Sequence, residues 1–306
     1  MTTALPFQLS WETLLALAGL EFPRDSMVDV LQQFEGPGGQ NEGLIHAVHG
    51  FRQLQAGKPD EALVATARAL EFDPSSLVAN IVAAAAYGMR SNFEAAVASC
   101  EKALETKPDS LMGRLLLGLY LSSMHRPQDA IAALEEALRL NPQVGPAYYF
   151  LARLHLTVGA PDRAIDALEK ALKINPLSLA ARVQLGDLYR HRGKNKAALA
   201  QYRGALQLDQ TATTHHRIGE VLELEGDREG AIEAYREATR IDERLPHSEY
   251  RLGACLLELG RPEEAIPRLE KALELAPPLD EAREALERAR KASGTDGAAD
   301  ATVAPD

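Results

Sequence analysis

Apolar residues return along this chain at i, i+3, i+4 and i+7, as at Ile165, Leu168, Ala171 and Leu172. That spacing places them on one stripe of an α-helix. The stripes are short, and most end at Gly or Pro. Two of them are nearly the same word. Residues 159–176, GAPDRAIDALEKALKINP, and residues 260–277, GRPEEAIPRLEKALELAP, share ten of eighteen letters and start 101 residues apart.

The pair belongs to a longer series. An Ala recurs at 62, 96, 130, 164, 198, 231 and 265, in steps of 34 with a single step of 33. A second Ala follows each by seven residues, and a Gly or Ala precedes each by twelve. The period predicts a unit of two short antiparallel helices. Small residues stand where two helix axes must come close, since a larger side chain would push them apart. Gly57, Gly159, Gly193, Gly226 and Gly260 end first helices, because Gly enters the left-handed cap conformation without a Cβ clash. Pro74, Pro108, Pro142, Pro176 and Pro277 end second helices, since the ring forbids continuation. Gln210 and Glu243 stand in for Pro in the other two units.

This pattern resembles the tetratricopeptide repeat family, whose 34-residue unit reads W-x2-L-G-x2-Y…A-x3-F…P. The matching stretches include LGLYL (117–121), LGDLY (185–189) and RLGACLLELG (251–260). The resemblance covers seven repeats over residues 43–279 and implies an all-α solenoid, a right-handed superhelix of antiparallel helix pairs. The family's Trp is absent throughout. His46, Asn80, Arg114, Tyr148, Arg182, His215 and Glu249 take its place, which predicts looser packing at that point. One repeat is a residue short, within residues 209–214, so three steps of 34 become 101 and the regularity should break there.

The ends depart from the pattern. Residues 280–292, DEAREALERARKA, predict a helix that caps the array with a thin stripe of Ala282, Leu286 and Ala289. The acidic residues 293–306 predict a disordered tail. Residues 1–42 predict helices at 11–19 and 27–34, the first N-capped by Ser10. One period before Gly50 and Ala62 fall Ala16 and Val28. The segment is therefore either a degenerate eighth repeat serving as an N-terminal cap or a helical pair lying in the groove.

Composition narrows the partners. Net charge is −11 and only 5% of residues are aromatic, which disfavours strands and disfavours a nucleic-acid backbone or an anionic membrane surface as partner. The run at 14–20 is too short to span a bilayer. The N-terminus lacks the basic flank of a signal peptide, so the cytoplasm is the expected compartment. Cys100 and Cys255 lack metal or redox spacing and read as buried free thiols.

In the family that this chain resembles, first helices line the concave face and bind peptides there. The resemblance implies a groove that is apolar toward the N-terminus, with Phe51, Ile81, Leu115 and Leu119. It becomes ionic in the middle, with Tyr149, Arg153, Asp187, Arg190, His216, Glu220 and Glu223, and reaches Tyr250 in the last repeat. A continuous apolar strip in repeats one to three would need a cover. The carboxylate clamp of chaperone-binding members is missing, since Ala47, Phe51, Val82, Met112 and Leu116 occupy its places. An Asn ladder is missing too, with Arg217 and Arg251 among the residues in its positions.

No phosphate loop, nucleophile elbow or HExxH motif occurs, so no enzyme activity and no cofactor are expected. His46 with His49, and His216 with Glu220 and His247, have spacings that a metal could use; packing and groove lining are the preferred readings. The basic turn RHRGKNK (190–196) reads as a solvated turn or a docking point for an acidic partner. The sequence thus predicts an interaction module that presents a rigid groove to a peptide or amphipathic helix of another protein. The alternative is a structural protein that uses its apolar groove to associate with a second copy.

Overall fold

In a computed structural model, residues 42–294 are described. The helices predicted within 1–41 and most of the acidic tail lie outside the described residues. Those described form fifteen helices and no strand. They divide into two compact units, Met1–Pro176 and Leu177–Asp306.

Unit 1 holds four helix pairs: α1 (Glu42–Gln55) with α2 (Pro59–Phe72), α3 (Leu77–Met89) with α4 (Phe93–Thr106), α5 (Leu111–Ser123) with α6 (Pro127–Leu140), and α7 (Gly145–Thr157) with α8 (Pro161–Ile174). Unit 2 holds three pairs and a last helix. These are α9 (Leu179–His191) with α10 (Asn195–Leu206), α11 (Ala212–Glu225) with α12 (Arg228–Ile241), α13 (Pro246–Glu258) with α14 (Pro262–Leu275), and α15 (Asp280–Ser293). The first helices are α1, α3, α5, α7, α9, α11 and α13.

Local chemistry sets the boundaries. Ser76, Ser110, Ser178 and Thr211 accept from backbone N–H groups at the starts of α3, α5, α9 and α11, each satisfying one orphan donor. Pro opens α2, α6, α8 and α14, where its missing N–H costs nothing. The turn between paired helices needs a left-handed residue in every repeat. Five turns use Gly, with φ between 67° and 81°, but two use Ser91 (φ 57°) and His125 (φ 56°). Both exceptions lie in unit 1.

The small residues work as their spacing predicts. A Cβ added at Gly118 would stand 2.7 Å from Leu134, and one at Gly186 only 2.5 Å from the Tyr202 ring. In each case the obstacle is the second-helix residue sixteen positions on. Around these contacts the recurring Ala residues 62, 96, 130, 164, 198, 231 and 265 are all fully buried.

The missing residue leaves a local mark. Second helices span fourteen residues elsewhere, but α10 has twelve. The others end on a residue outside the αR region whose N–H returns to the second Ala of the repeat, at 69, 103, 137, 171, 238 and 272. After α10, Gln207 stays in the αR region and Leu208 N–H bonds Ala205 O at 3.0 Å, a tightened last turn.

Three of the positions without Trp are not loose. Asn80 is buried and donates from Nδ2 to Ser76 O at 2.9 Å, with Pro74 O at 3.4 Å. Arg114 Nε reaches Pro108 O at 2.9 Å. Both side chains tie down the turn that precedes their own helix. Glu249 is fully buried, with Lys271 Nζ at 3.1 Å and Arg268 Nη1 at 3.5 Å from its carboxylate. Polar groups thus fill the space and find partners, as burial demands.

Candidate functional site

In unit 2 the first helices bring together Asp187, Arg190, His216, Glu220 and Glu223. Asp187 on α9 accepts two bonds at Oδ1, from Tyr202 Oη at 2.6 Å and from Arg217 Nε at 2.9 Å. Arg190, one turn further, reaches Glu220 of α11 at 3.3 Å, while its Nε is buried without a partner. Glu223 on α11 collects Tyr235 Oη at 3.0 Å, Cys255 Sγ at 2.8 Å and Arg251 Nη1 at 3.5 Å. His216 stands 3.7 Å from Glu220, shares a 2.8 Å hydrogen bond with Ser248 Oγ, and leans on the Tyr235 ring at 5.3 Å.

These bonds run from one first helix to the next. Asp187–Arg217 and Arg190–Glu220 join α9 to α11; Glu223–Arg251 and His216–Ser248 join α11 to α13. The groups are half-buried, with side chains 22–27% exposed at Asp187, Arg190, His216, Glu220 and Glu223. Partial desolvation strengthens such pairs relative to surface ones.

Titration follows the same geometry. Burial pushes the Tyr235 hydroxyl far above its ordinary value, and the Glu223 charge adds to it. Burial and the bond to Glu223 raise Cys255 as well, so it stays a thiol and donates. Burial lowers His216 against the opposing pull of Glu220, with Arg251, His247 and Arg217 lowering it further.

Tyr250 is half-buried and lies under the Arg251 guanidinium at 5.8 Å. His247 is exposed, and no set of three or more His, Cys, Asp or Glu among the described residues is arranged to hold a metal ion.

Unit 1 is different. Phe51 and Leu115 are 5% and 7% exposed and belong to its core; Ile81 and Leu119 are half-buried against the same cluster. The strip expected to lie open is therefore largely packed inside the unit. Tyr149 and Arg153 are half-buried on α7, where Tyr149 meets Phe150 edge to face at 6.2 Å.

Sequence reasoning named the acids and His216 but missed what holds them. Tyr202 and Tyr235 come from second helices. Each lies over a repeat glycine, Gly186 or Gly219, and that close approach carries the phenol to the first-helix acid. A Tyr sixteen residues after a repeat Gly was the available signal.

Two family models described as tetratricopeptide repeat match the chain, one over residues 115–178 and 151–213 and the other over 210–277. These spans adjoin and cover more than half of it. The chain belongs to the tetratricopeptide repeat family. No curated protein matches it. Among solved structures it resembles MamA at 27% identity and TM-score 0.50, over 52% of this chain and 94% of that one. YrrB, described as a tetratricopeptide repeat protein with an unusual peptide-binding site, matches at 24% identity and TM-score 0.54, over 58% and 93%. PilF of Pseudomonas aeruginosa matches at 23% identity and TM-score 0.57, over 67% and 95%. The latter two likenesses are of fold.

As a tetratricopeptide repeat chain it has a particular first-helix chemistry. Two positions that carry Asn in ladder-bearing members are Arg217 and Arg251, and both are spent on neighbouring acids. Among the described residues no helix is long and apolar enough to cross a membrane.

Proposed function

We propose that this chain is a protein–protein interaction scaffold whose first-helix face in repeats five to seven receives a peptide or helix of a partner. The reading is supported by one observation above all: donors and acceptors on α9, α11 and α13 are held in fixed pairs yet remain partly open. Ordered side chains lose little rotamer freedom on binding, so a partner meets a preorganised surface. The mixed signs of Asp187, Arg190, Glu220, Glu223 and Arg251 would select a segment of mixed charge over an apolar one. Tyr250 adds a rigid aromatic anchor beside them.

Tyr149 and Arg153, an aromatic and a cation one turn apart on α7, would offer a second surface in unit 1. Self-association through an apolar groove has less support, because Phe51 and Leu115 are already inside the core.

The test is peptide selection against the purified chain, followed by anisotropy with the enriched sequences. Arg190→Ala/Glu220→Ala should weaken binding about tenfold or more, while Lys196→Ala at the start of α10 leaves it unchanged. Failure to enrich any peptide, or equal affinity for both variants, would overturn the proposal.

A further inference from the structure

A cleft of about 360 Å³ opens in unit 1 between the second helices α6 and α8, with residues of α7 also lining it. Leu138, Leu151 and Ala167 form its buried apolar floor. Beside them lies His155, 4% exposed, whose Nδ1 has no hydrogen-bond partner. In the other repeats the same position holds Gln53, Tyr87, Leu121, Tyr189, Leu222 and Leu256, which are apolar or aromatic with one exception. A buried ring nitrogen left unpaired costs stability, so His155 is an expensive choice for packing alone. The same repeat departs from the others a second time. Arg163, on the rim of the cleft, stands where they carry Glu61, Ala95, Asp129, Ala197, Gly230 and Glu264. It is exposed and enters no ion pair among the described residues. The other rim cations are engaged: Arg139 reaches Glu136 at 2.6 Å, and Lys170 stands over the Tyr148 ring at 5.7 Å. Burial holds the His155 ring below its ordinary value against the pull of Glu135, and the Arg163 charge lowers it further, so the two departures act on one space.

We propose that this cleft is a further peptide site of the chain, taking one apolar side chain of a partner on Leu138, Leu151 and Ala167 and the neighbouring carboxylate on Arg163. An apolar floor with a few polar groups is the usual make-up of a binding cleft. A guanidinium with no partner of its own takes a carboxylate in a charge-assisted hydrogen bond. A peptide backbone brings both donors and acceptors, so either tautomer of His155 can gain the partner that it lacks. Glu135 and Asp166 also line the cleft and would repel a second carboxylate, so the segment holds a single acid rather than an acidic run. The site is separate from the first-helix face of unit 2 and does not depend on it.

Fluorescence anisotropy on the full chain tests this with short labelled peptides that carry one Leu and, beside it, Glu, Gln or Lys. The Glu peptide should bind about tenfold more tightly than the Gln peptide, and the Lys peptide more weakly still. Arg163→Glu should abolish that preference. His155→Leu should weaken the Glu peptide about fivefold while slowing hydrogen exchange in α7, because an unpaired polar group has left the interior. Both variants carry residues that other repeats hold at the same positions, Glu61 and Glu264 or Leu121 and Leu256, so the fold should survive, and circular dichroism checks it. Arg190→Ala/Glu220→Ala should leave the Glu preference intact; its loss there would move the peptide to unit 2 and overturn the proposal. Equal affinity for the Glu and Gln peptides, a preference that survives Arg163→Glu, or an affinity unmoved by His155→Leu would overturn it too. So would benzoate binding as tightly as the Glu peptide, which would make the cleft a small-molecule site.

Discussion

Units 1 and 2 build the same helix pairs on the same buried alanines, yet they join successive first helices by different means. In unit 1 the contact is apolar: Phe51, Val82, Leu115, Leu116 and Leu151 form one continuous core. In unit 2 Ile218, Val221, Leu222, Leu252 and Leu256 also pack between first helices, but Asp187–Arg217, Arg190–Glu220 and Glu223–Arg251 add ionic ties to that contact. The repeat frame thus tolerates either glue, because its own integrity rests on the small residues between paired helices. What varies is the chemistry left on the first-helix face, mainly apolar in one unit and ionic in the other.

Four measurements would break or sharpen that contrast, best read repeat by repeat through hydrogen exchange, since solenoids need not unfold as one unit. The largest effect is expected in the apolar joint. Leu116 is fully buried, so Leu116→Ala should lower the stability of unit 1 by about 2–5 kcal/mol. In the ionic joint Glu223→Ala strands Tyr235, Cys255 and Arg251, and the loss in unit 2 should be about 1–3 kcal/mol. An ionic joint that costs more to break than the apolar one would reverse the comparison.

Third come the turns. Ser91→Gly and His125→Gly should each stabilise unit 1 by about 1 kcal/mol, because a left-handed backbone strains any residue with a Cβ. Gly193→Ala should destabilise unit 2 by a similar amount, and equal responses of sign in both units would refute the strain argument.

Least in size is a pH effect. Burial holds the imidazoles of His215 and His216 below their ordinary value, so the unfolded chain takes the proton first. The stability of unit 2 should be complete above about pH 6.5 and decline as pH falls through the lower folded values. His216→Gln should flatten that decline in α11; an unchanged profile would assign it to other groups.

Much of the fold could be read from the letters, because periodicity is a local property. Gly57 and Gly226 announce their turns, and the short step between Ala198 and Ala231 locates the early end of α10. Burial of Phe51 and Leu115 was not readable, since it depends on how closely neighbouring first helices approach. Nor were the bonds to Asp187 and Glu223. Their partners lie twelve to thirty-two residues away, on other helices, and no single-helix pattern records them. Glu249 is the sharpest case: an acid in the family's Trp position predicts looser packing, but it is fully buried with two cations from α14 at its carboxylate.

The ionic joints of unit 2 have a mechanical consequence. Each ties one first helix only to the next, from α9 to α11 and from α11 to α13. A pull along the chain would load these ties in series, each bearing the same force, so that the weakest parts first. Such a row yields in steps and re-forms in steps, and added salt would soften every step by screening the same charges. Under tension unit 2 should lengthen in repeat-sized increments, with a force per step that falls as ionic strength rises.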